Sequence, residues 1–166
     1  MDSSIARGVS EGQRALGISL ALTSLLFIAL GEGSIASTDD ALYAQMAREM
    51  ATSGQWLSAS WLGVEVFEKP PLLLWILKLL GPPLAWSELA LRLPGVLGAS
   101  MALYYGVRLT YAGSSSWAAS AMAGLSMLAT VTFTLNARRP MTDPLLCAAL
   151  MATLWYTLAL VTKPEG

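Results

Sequence analysis

The residues of this sequence that could do chemistry are a few charged side chains in an otherwise apolar chain. There are three acidic positions: Asp39 with Asp40, Glu68, and Asp143. The cations beside them are Lys69, Arg138 and Arg139. A carboxylate can remove a proton from an acceptor, while cations can hold a phosphate leaving group. Arginine offers paired, charge-assisted hydrogen bonds to phosphate, whereas a lysine acts as a movable point charge. These residue types therefore predict a group-transfer site, provided that the fold brings them together.

The composition indicates a membrane protein. Of 166 residues, 55% are hydrophobic and 13% are charged, against about 25% charged residues in a typical globular domain. The formal net charge is -1, which offers no basic surface for nucleic acid. Cys147 is the one cysteine and there is no histidine, so zinc fingers, disulfide frameworks and histidine triads are excluded. Any chemistry must use carboxylates, lysine, arginine and hydroxyl groups.

Apolar runs set the predicted architecture. A spanning helix needs about 20 apolar residues, and the runs that approach this length are 15–31, 89–107, 117–137 and 144–161. A fifth run, 71–80, is shorter and is typical of an interfacial helix. The sequence thus predicts an all-α, polytopic transmembrane helix bundle of about four spans, with a large external loop of juxtamembrane helices. The predicted parts are a cytoplasmic N-terminus (1–14), a retained first span (15–32), the external loop (33–88), and three further spans with a C-terminal tail (89–166).

The distribution of basic residues orients these spans. With four spans, Arg7, Arg14, Arg108 and Lys163 fall on the cytoplasmic side, as the excess of basic residues in cytoplasmic loops requires. Had 71–80 crossed the membrane, Arg108 would have moved outside, so that topology is rejected. The chosen topology places every candidate carboxylate on the non-cytoplasmic face.

The external loop itself has helix signals. The segment TDDALYAQMAREMATSG has capping residues at its start, an apolar face that contains Leu42, Met46 and Met50, and Gly54 as its stop. Proline at position 71 suits the first turn of a second helix, which places Glu68 and Lys69 just before that helix. Tryptophans in the loop favour the headgroup zone of a membrane.

A base beside phosphate-binding cations at a membrane surface fits a sugar donor linked to a lipid phosphate. Four motifs in order carry a family resemblance: TDDALYAQMAREM (38–50), FEKPPLLLW (67–75), LRLPGVLGA (91–99) and ARRPMTDPLL (137–146). The chain resembles the N-terminal part of the polytopic GT-C glycosyltransferases of the aminoarabinose transferase and dolichyl-phosphate-mannose protein mannosyltransferase type. Members of that family run to several hundred residues.

The resemblance implies an inverting transfer of a sugar from a polyprenyl-phosphate donor to a lipid, protein or glycan acceptor. It implies catalytic roles for Asp39 and Asp143 and substrate contacts for Lys69, Arg138, Arg139, Arg92 and Asp40. Glu68 would hold a divalent metal ion, and no other cofactor is implied. The implied location is the inner membrane, as a multi-pass protein with its active face periplasmic or extracellular.

Each candidate also has a structural interpretation. Asp39 and Asp40 could only cap a helix, and Glu68 with Lys69 could be a solvated ion pair. The paired arginines could anchor a span in headgroups, and Asp143 could only mark a helix start. The alternative function is accordingly a non-catalytic membrane scaffold or truncated paralogue that packs with other membrane subunits. A transporter subunit is a weaker alternative because the spans carry almost no internal charge.

Overall fold

The computed structural model describes residues 3–32 and 38–162, which form seven helices and two short strands. The elements are α1 (Ser3–Phe27), α2 (Thr38–Ser53), β1 (Ala59–Trp61), β2 (Val64–Val66), α3 (Pro71–Leu80), α4 (Glu88–Ser114), α5 (Trp117–Ala129), α6 (Val131–Ala137) and α7 (Asp143–Val161). Lys163 and residues 33–37, which the topology prediction also used, lie outside this part, and so does the side chain of Arg7.

The helices pack as two units that meet at α4. In the first unit, α4 packs against α1, α5, α6 and α7 around a buried cluster that includes Leu26, Val96 and Leu103. In the second unit, α2 and α3 pack on each other and α2 also packs on β1. The second cluster includes Met46 of α2 and Leu91 of α4, so the external loop is held on the bundle by apolar packing.

The two helices predicted in the external loop are confirmed. α2 covers the TDDALYAQMAREM motif, with Met46 and Met50 buried and Leu42 half-buried on the predicted face. Gly54 follows with a φ of +76°, the left-handed conformation that suits glycine after a helix. α3 begins at Pro71, where a missing N–H costs little, and has 10 residues.

A β-hairpin between α2 and α3 was not predicted. β1 and β2 pair antiparallel, with Ala59 opposite Val66 and Trp61 opposite Val64. The two turn residues, Leu62 and Gly63, have φ values of 54° and 80°, as a tight hairpin turn requires. Strands of three residues are too short to show a clear alternation of apolar and polar residues. The fold is therefore helical with one small hairpin in the loop.

The long apolar runs differ in detail from the predicted spans. α1 starts well before residue 15, and α4 continues beyond residue 107 to Ser114. The run 117–137 is divided at Thr130 into α5 and α6, which are bent by 74°. Thr130 has an extended backbone, and its hydroxyl donates to the carbonyl of Ser126 at 3.0 Å. Threonine hydroxyls compete in this way with the helical hydrogen bonds.

Length and apolarity qualify one described helix as a membrane span. That helix is α7, and the bent pair of α5 and α6 qualifies as a second if it counts as one span. α1 and α4 have 25 and 27 residues, but Glu11 and Arg14 in α1 and Arg92 and Arg108 in α4 lower their hydropathy. The predicted number of four spans is therefore not confirmed. Only 11% of the apolar window of α7 is buried, whereas a core helix of a soluble protein is mostly buried.

Two glycines in α4 let the ARRPMTDPLL segment lie directly against this helix. A Cβ atom on Gly95 would lie 2.7 Å from the carbonyl oxygens of Ala137 and Arg139. A Cβ atom on Gly98 would lie 2.9 Å from the carbonyl of Pro144. The glycines of the LRLPGVLGA motif thus fix how closely the last motif approaches α4.

Gly95→Ala should destabilise the fold, because backbone atoms leave no room for the added methyl group. We expect a loss of about 1–3 kcal/mol in the free energy of unfolding, as for other overpacked sites. Gly17→Ala is the matched control, since nothing lies within 4 Å of a Cβ atom on this exposed helical glycine. The control should gain about 0.5–1 kcal/mol from the helical preference of alanine. Unfolding followed by circular dichroism measures both, and equal stabilities would contradict the close approach.

Candidate functional site

The two adjacent aspartates at the start of α2 have opposite environments. Both lie in the first turn, where negative charge is favourable near the positive end of the helix dipole. The side chain of Asp40 is 5% exposed, whereas that of Asp39 is 59% exposed. A buried carboxylate needs partners, whereas an exposed one can meet a ligand. The structural interpretation as helix-end charges holds for both residues, and it leaves Asp39 accessible.

Asp40 is bound by Arg139, which comes from the segment between α6 and α7. The Nε of Arg139 lies 3.1 Å from both carboxylate oxygens of Asp40. Neither Nη atom of Arg139 makes a hydrogen bond with a residue in 3–32 or 38–162. Arg139 therefore ties the first motif to the last one and keeps donors for a further acceptor.

Asp39 is paired with Lys69, which directly precedes the two prolines. The Nζ of Lys69 lies 3.7 Å from Oδ1 of Asp39 and 5.2 Å from the ring centroid of Tyr43. A distance of 3.7 Å is too long for a direct hydrogen bond, so the ammonium can still bind an anion. The predicted base and one predicted phosphate-binding cation are therefore neighbours.

Arg92 and Arg138 have described contacts of another kind. Arg92 donates to the carbonyls of Leu30 at 2.9 Å and Glu32 at 2.6 Å. Arg138 donates to the carbonyl of Ile28 at 2.8 Å. These carbonyls belong to the turn that follows α1, and the two arginines supply donors to them. These contacts are structural, and the predicted phosphate contacts of both arginines stay predictions.

Asp143 begins α7 and accepts a hydrogen bond from the Nδ2 of Asn136 at 3.0 Å. It lines a cavity of about 290 Å³ together with Asn136 and Cys147. Its described contacts do not join it to Asp39 or Lys69. The catalytic role predicted for Asp143 stays a prediction.

Glu68 opens onto a larger cavity beside the Asp39–Lys69 pair. This cavity has a volume of about 500 Å³, and its lining residues include Trp61, Glu65, Phe67, Glu68 and Lys69. The contribution of Trp61 and Glu65 to the wall of this cavity was not predicted, because it depends on the hairpin. The only sequence signal for that hairpin is Gly63 between apolar and aromatic residues.

A metal ion at Glu68 lacks a ligand set in the described part of the chain. No group of three or more histidine, cysteine, aspartate or glutamate residues is gathered within residues 3–32 and 38–162. These residues therefore do not fit a metal centre by themselves, and the predicted ion stays a prediction.

Glu49 of α2 was not predicted and holds the hairpin turn. It accepts hydrogen bonds from the Ser60 hydroxyl at 2.7 Å, the Gln45 amide at 2.9 Å and the backbone N–H of Leu62 at 2.8 Å. Gly63 also donates its N–H, at 3.3 Å. The hydrogen bonds from Ser60 and Gln45, followed by those from the turn, lower the pKa of Glu49 from 4.5 to about 2. Glu49 therefore positions the wall of the larger cavity.

All four motifs thus meet in space. The first supplies Asp39 and Asp40, the second supplies Lys69, and the fourth supplies Arg139. The glycines of the third motif allow the fourth to lie against α4. The arrangement offers an exposed carboxylate, two cations with available donors and an adjoining cavity, which together suit proton removal beside a bound phosphate.

Comparison with known proteins identifies the fold. No protein-family model matches the chain, and neither does any curated protein sequence. The structure is similar to ArnT from Cupriavidus metallidurans bound to undecaprenyl phosphate, with a TM-score of 0.75 and 22% identity over 92% of this chain and 27% of ArnT. It is also similar to apo ArnT from the same organism, with a TM-score of 0.75 and 21% identity over 99% of this chain and 29% of ArnT.

These similarities show that this chain has the fold of a part of ArnT. ArnT is an aminoarabinose transferase, the type of protein that the four motifs resemble, so the resemblance is confirmed at the level of fold. The chain spans between a quarter and a third of the length of ArnT.

Glu49→Gln should loosen the hairpin turn, because an amide oxygen is a weaker acceptor than a carboxylate for Ser60 and the two turn amides. We expect faster hydrogen exchange at Leu62 and Gly63. Lowering the pH should have the same effect in the wild type: the stabilisation from Glu49 is full above about pH 4.5 and is lost as the pH falls towards 2. Glu65→Gln, on the exposed face of β2, is the control. Unchanged exchange at Leu62 and Gly63 in Glu49→Gln would contradict this role.

Proposed function

We propose that this chain is the N-terminal part of a membrane glycosyltransferase that uses a polyprenyl-phosphate sugar donor. The acceptor is a lipid, protein or glycan on the non-cytoplasmic face. The observation that carries the proposal is the pairing of Asp39 with Lys69 directly beside the pairing of Asp40 with Arg139. Residues from three distant motifs would not gather a base and two cations at one helix end if capping were their only role.

The donor class follows from the cations. The ammonium of Lys69 and the Nη atoms of Arg139 are available to phosphate oxygens, and charge-assisted hydrogen bonds of this kind are strong. The ArnT structure to which this fold is similar is bound to undecaprenyl phosphate, which is a polyprenyl phosphate. The fold and the available cations together support a polyprenyl-phosphate ligand.

The proposed reaction is one inverting displacement. The acceptor group loses its proton to the Asp39 carboxylate and forms a bond to the anomeric carbon of the sugar. The bond between that carbon and the phosphate oxygen breaks at the same time. Polyprenyl phosphate leaves with the electron pair, and Lys69 and Arg139 stabilise the charge that develops on it. No step requires a metal ion.

The cavity next to Lys69 is the proposed acceptor pocket. Its aromatic walls, Trp61 and Phe67, offer ring faces on which a sugar can pack, and Glu65 and Glu68 offer oxygens for its hydroxyl groups. A volume of about 500 Å³ is within the usual range for small-molecule sites.

The proposed setting is a multi-pass protein of the inner membrane with four spans, and the site on the periplasmic or extracellular side. Large apolar side chains are exposed along α7 and α1, for example Leu154 at 56% and Leu20 at 60%. Such side chains suit lipid tails or further helices. Arg108 lies on α4 about 24 Å from Arg92, at a rise of about 1.5 Å per residue, which suits opposite sides of a bilayer about 30 Å thick.

Asp39→Asn should abolish transfer, because an amide cannot accept the proton of the acceptor. We expect a loss of about 100-fold or more, the usual contribution of a general base. The measurement is transfer of radiolabelled sugar from a polyprenyl-phosphate donor in proteoliposomes, by a complete protein that carries this chain as its N-terminal part. Glu32→Gln is the control, as an exposed carboxylate between α1 and α2. Full activity in Asp39→Asn would refute the assigned role, and donor binding without transfer in a complete protein that carries this chain as its N-terminal part would favour the scaffold alternative.

Lys69→Gln should weaken binding of undecaprenyl phosphate, because it removes a charge-assisted contact to the phosphate. We expect a loss of about tenfold or more, consistent with 1.5–3 kcal/mol for a hydrogen bond to a charged group. Arg48→Gln, an exposed cation on α2, is the matched control and should change affinity less than twofold. Native mass spectrometry of the purified chain with added lipid gives the bound fractions. Equal losses in the two variants would mean that Lys69 does not contact phosphate.

A further inference from the structure

A third cavity lies at the other end of the bundle from the Asp39–Lys69 pair. It is formed by the N-terminal half of α1, the C-terminal end of α4, the start of α5 and the C-terminal half of α7. Its volume is about 260 Å³, and its lining residues include Glu11, Arg108, Tyr111, Trp117 and Trp155. This volume lies below the usual range for drug-sized ligands and suits a smaller group.

Arg108 presents donors to this cavity. Its guanidinium carbon lies 3.9 Å from the ring centroid of Trp155, and one Nη donates to the Tyr104 hydroxyl at 3.1 Å. Stacking occupies the face of the guanidinium and leaves the N–H groups at its edge available. No carboxylate within residues 3–32 and 38–162 forms an ion pair with Arg108. Arg108 is therefore a fixed cation that can accept an anionic ligand.

Glu11 brings the opposite charge to the same cavity. It lines the cavity with Arg108, yet the two make no salt bridge, and no other described cation pairs with Glu11. Tyr111 and Trp117 stack beside them with ring centroids 3.8 Å apart. Each ring keeps one face outside the stack, and aromatic ring faces attract ammonium groups, as carboxylates do. The cavity thus offers one place for an anion and another for a cation.

We propose that this cavity binds the zwitterionic phosphoethanolamine headgroup of a membrane lipid. Arg108 binds the phosphate, and Glu11 with the Tyr111 and Trp117 rings binds the primary ammonium. In the proposed topology this end of the bundle is cytoplasmic, so the lipid belongs to the inner leaflet. The site is independent of sugar transfer and would exist in a scaffold as well.

The test is binding of short-chain lipids to the purified full chain in detergent, measured by isothermal titration calorimetry. The probes are dihexanoyl phosphatidylethanolamine, the corresponding phosphatidylglycerol, and inorganic phosphate. We expect one saturable site with tighter binding of phosphatidylethanolamine than of phosphatidylglycerol, and no comparable binding of phosphate alone. Equal binding of both lipids, or of free phosphate, would overturn the assignment of a zwitterionic headgroup.

Variants separate the two halves of the site. Arg108→Gln should weaken binding of both lipids about tenfold or more, and Arg14→Gln, an exposed cation on α1, should leave both unchanged. Glu11→Gln should reduce only the preference for phosphatidylethanolamine, which a general loss of folding would not do. Circular dichroism checks the helix content of each variant. Similar behaviour of Arg108→Gln and Arg14→Gln, or an unchanged preference in Glu11→Gln, would overturn the proposal.

Discussion

The buried contact between Asp40 and Arg139 is the interaction on which the arrangement of the site depends. Removing one partner from a buried ion pair costs about 3–5 kcal/mol in many proteins, because a charge is then left in a poorly solvated place. The Asp40 side chain is 5% exposed, so α2 has to start where Arg139 can reach it. Asp39 is the preceding residue of the same helical turn, and its position is fixed as a consequence. The exposed carboxylate is thus placed by the buried one.

That contact in turn requires the segment between α6 and α7 to lie against α4. Gly95 and Gly98 leave the space in which backbone carbonyls approach the helix to within contact distance. Arg138 and Arg92 add a second connection, since both donate to carbonyls in the turn that follows α1. The cations of the motifs therefore have different roles. Arg139 and Lys69 stand at the site, whereas Arg92 and Arg138 hold the framework around it.

Much of this fold follows from local sequence signals, and the remainder depends on tertiary contacts. Proline before an apolar run and glycine after an amphipathic run set the limits of α3 and α2. The hairpin could not be predicted, because leucine is an unusual residue at a positive φ and the N–H of Leu62 is held by Glu49 from another element. The break at Thr130 was hidden for a similar reason, since hydropathy is continuous across it. Of the site, the gathering of Asp39, Lys69 and Arg139 was predictable, whereas the structural contacts of Arg92 and Arg138 were not.

The contact with Asp40 uses only a small part of the hydrogen-bonding capacity of Arg139. Both carboxylate oxygens of Asp40 lie 3.1 Å from the Nε of Arg139. A single shared N–H uses one of the five donors of the guanidinium, and the Nη atoms stay free of described partners. Arg139 can therefore hold α2 with one edge of its guanidinium and offer the other edge to a further acceptor.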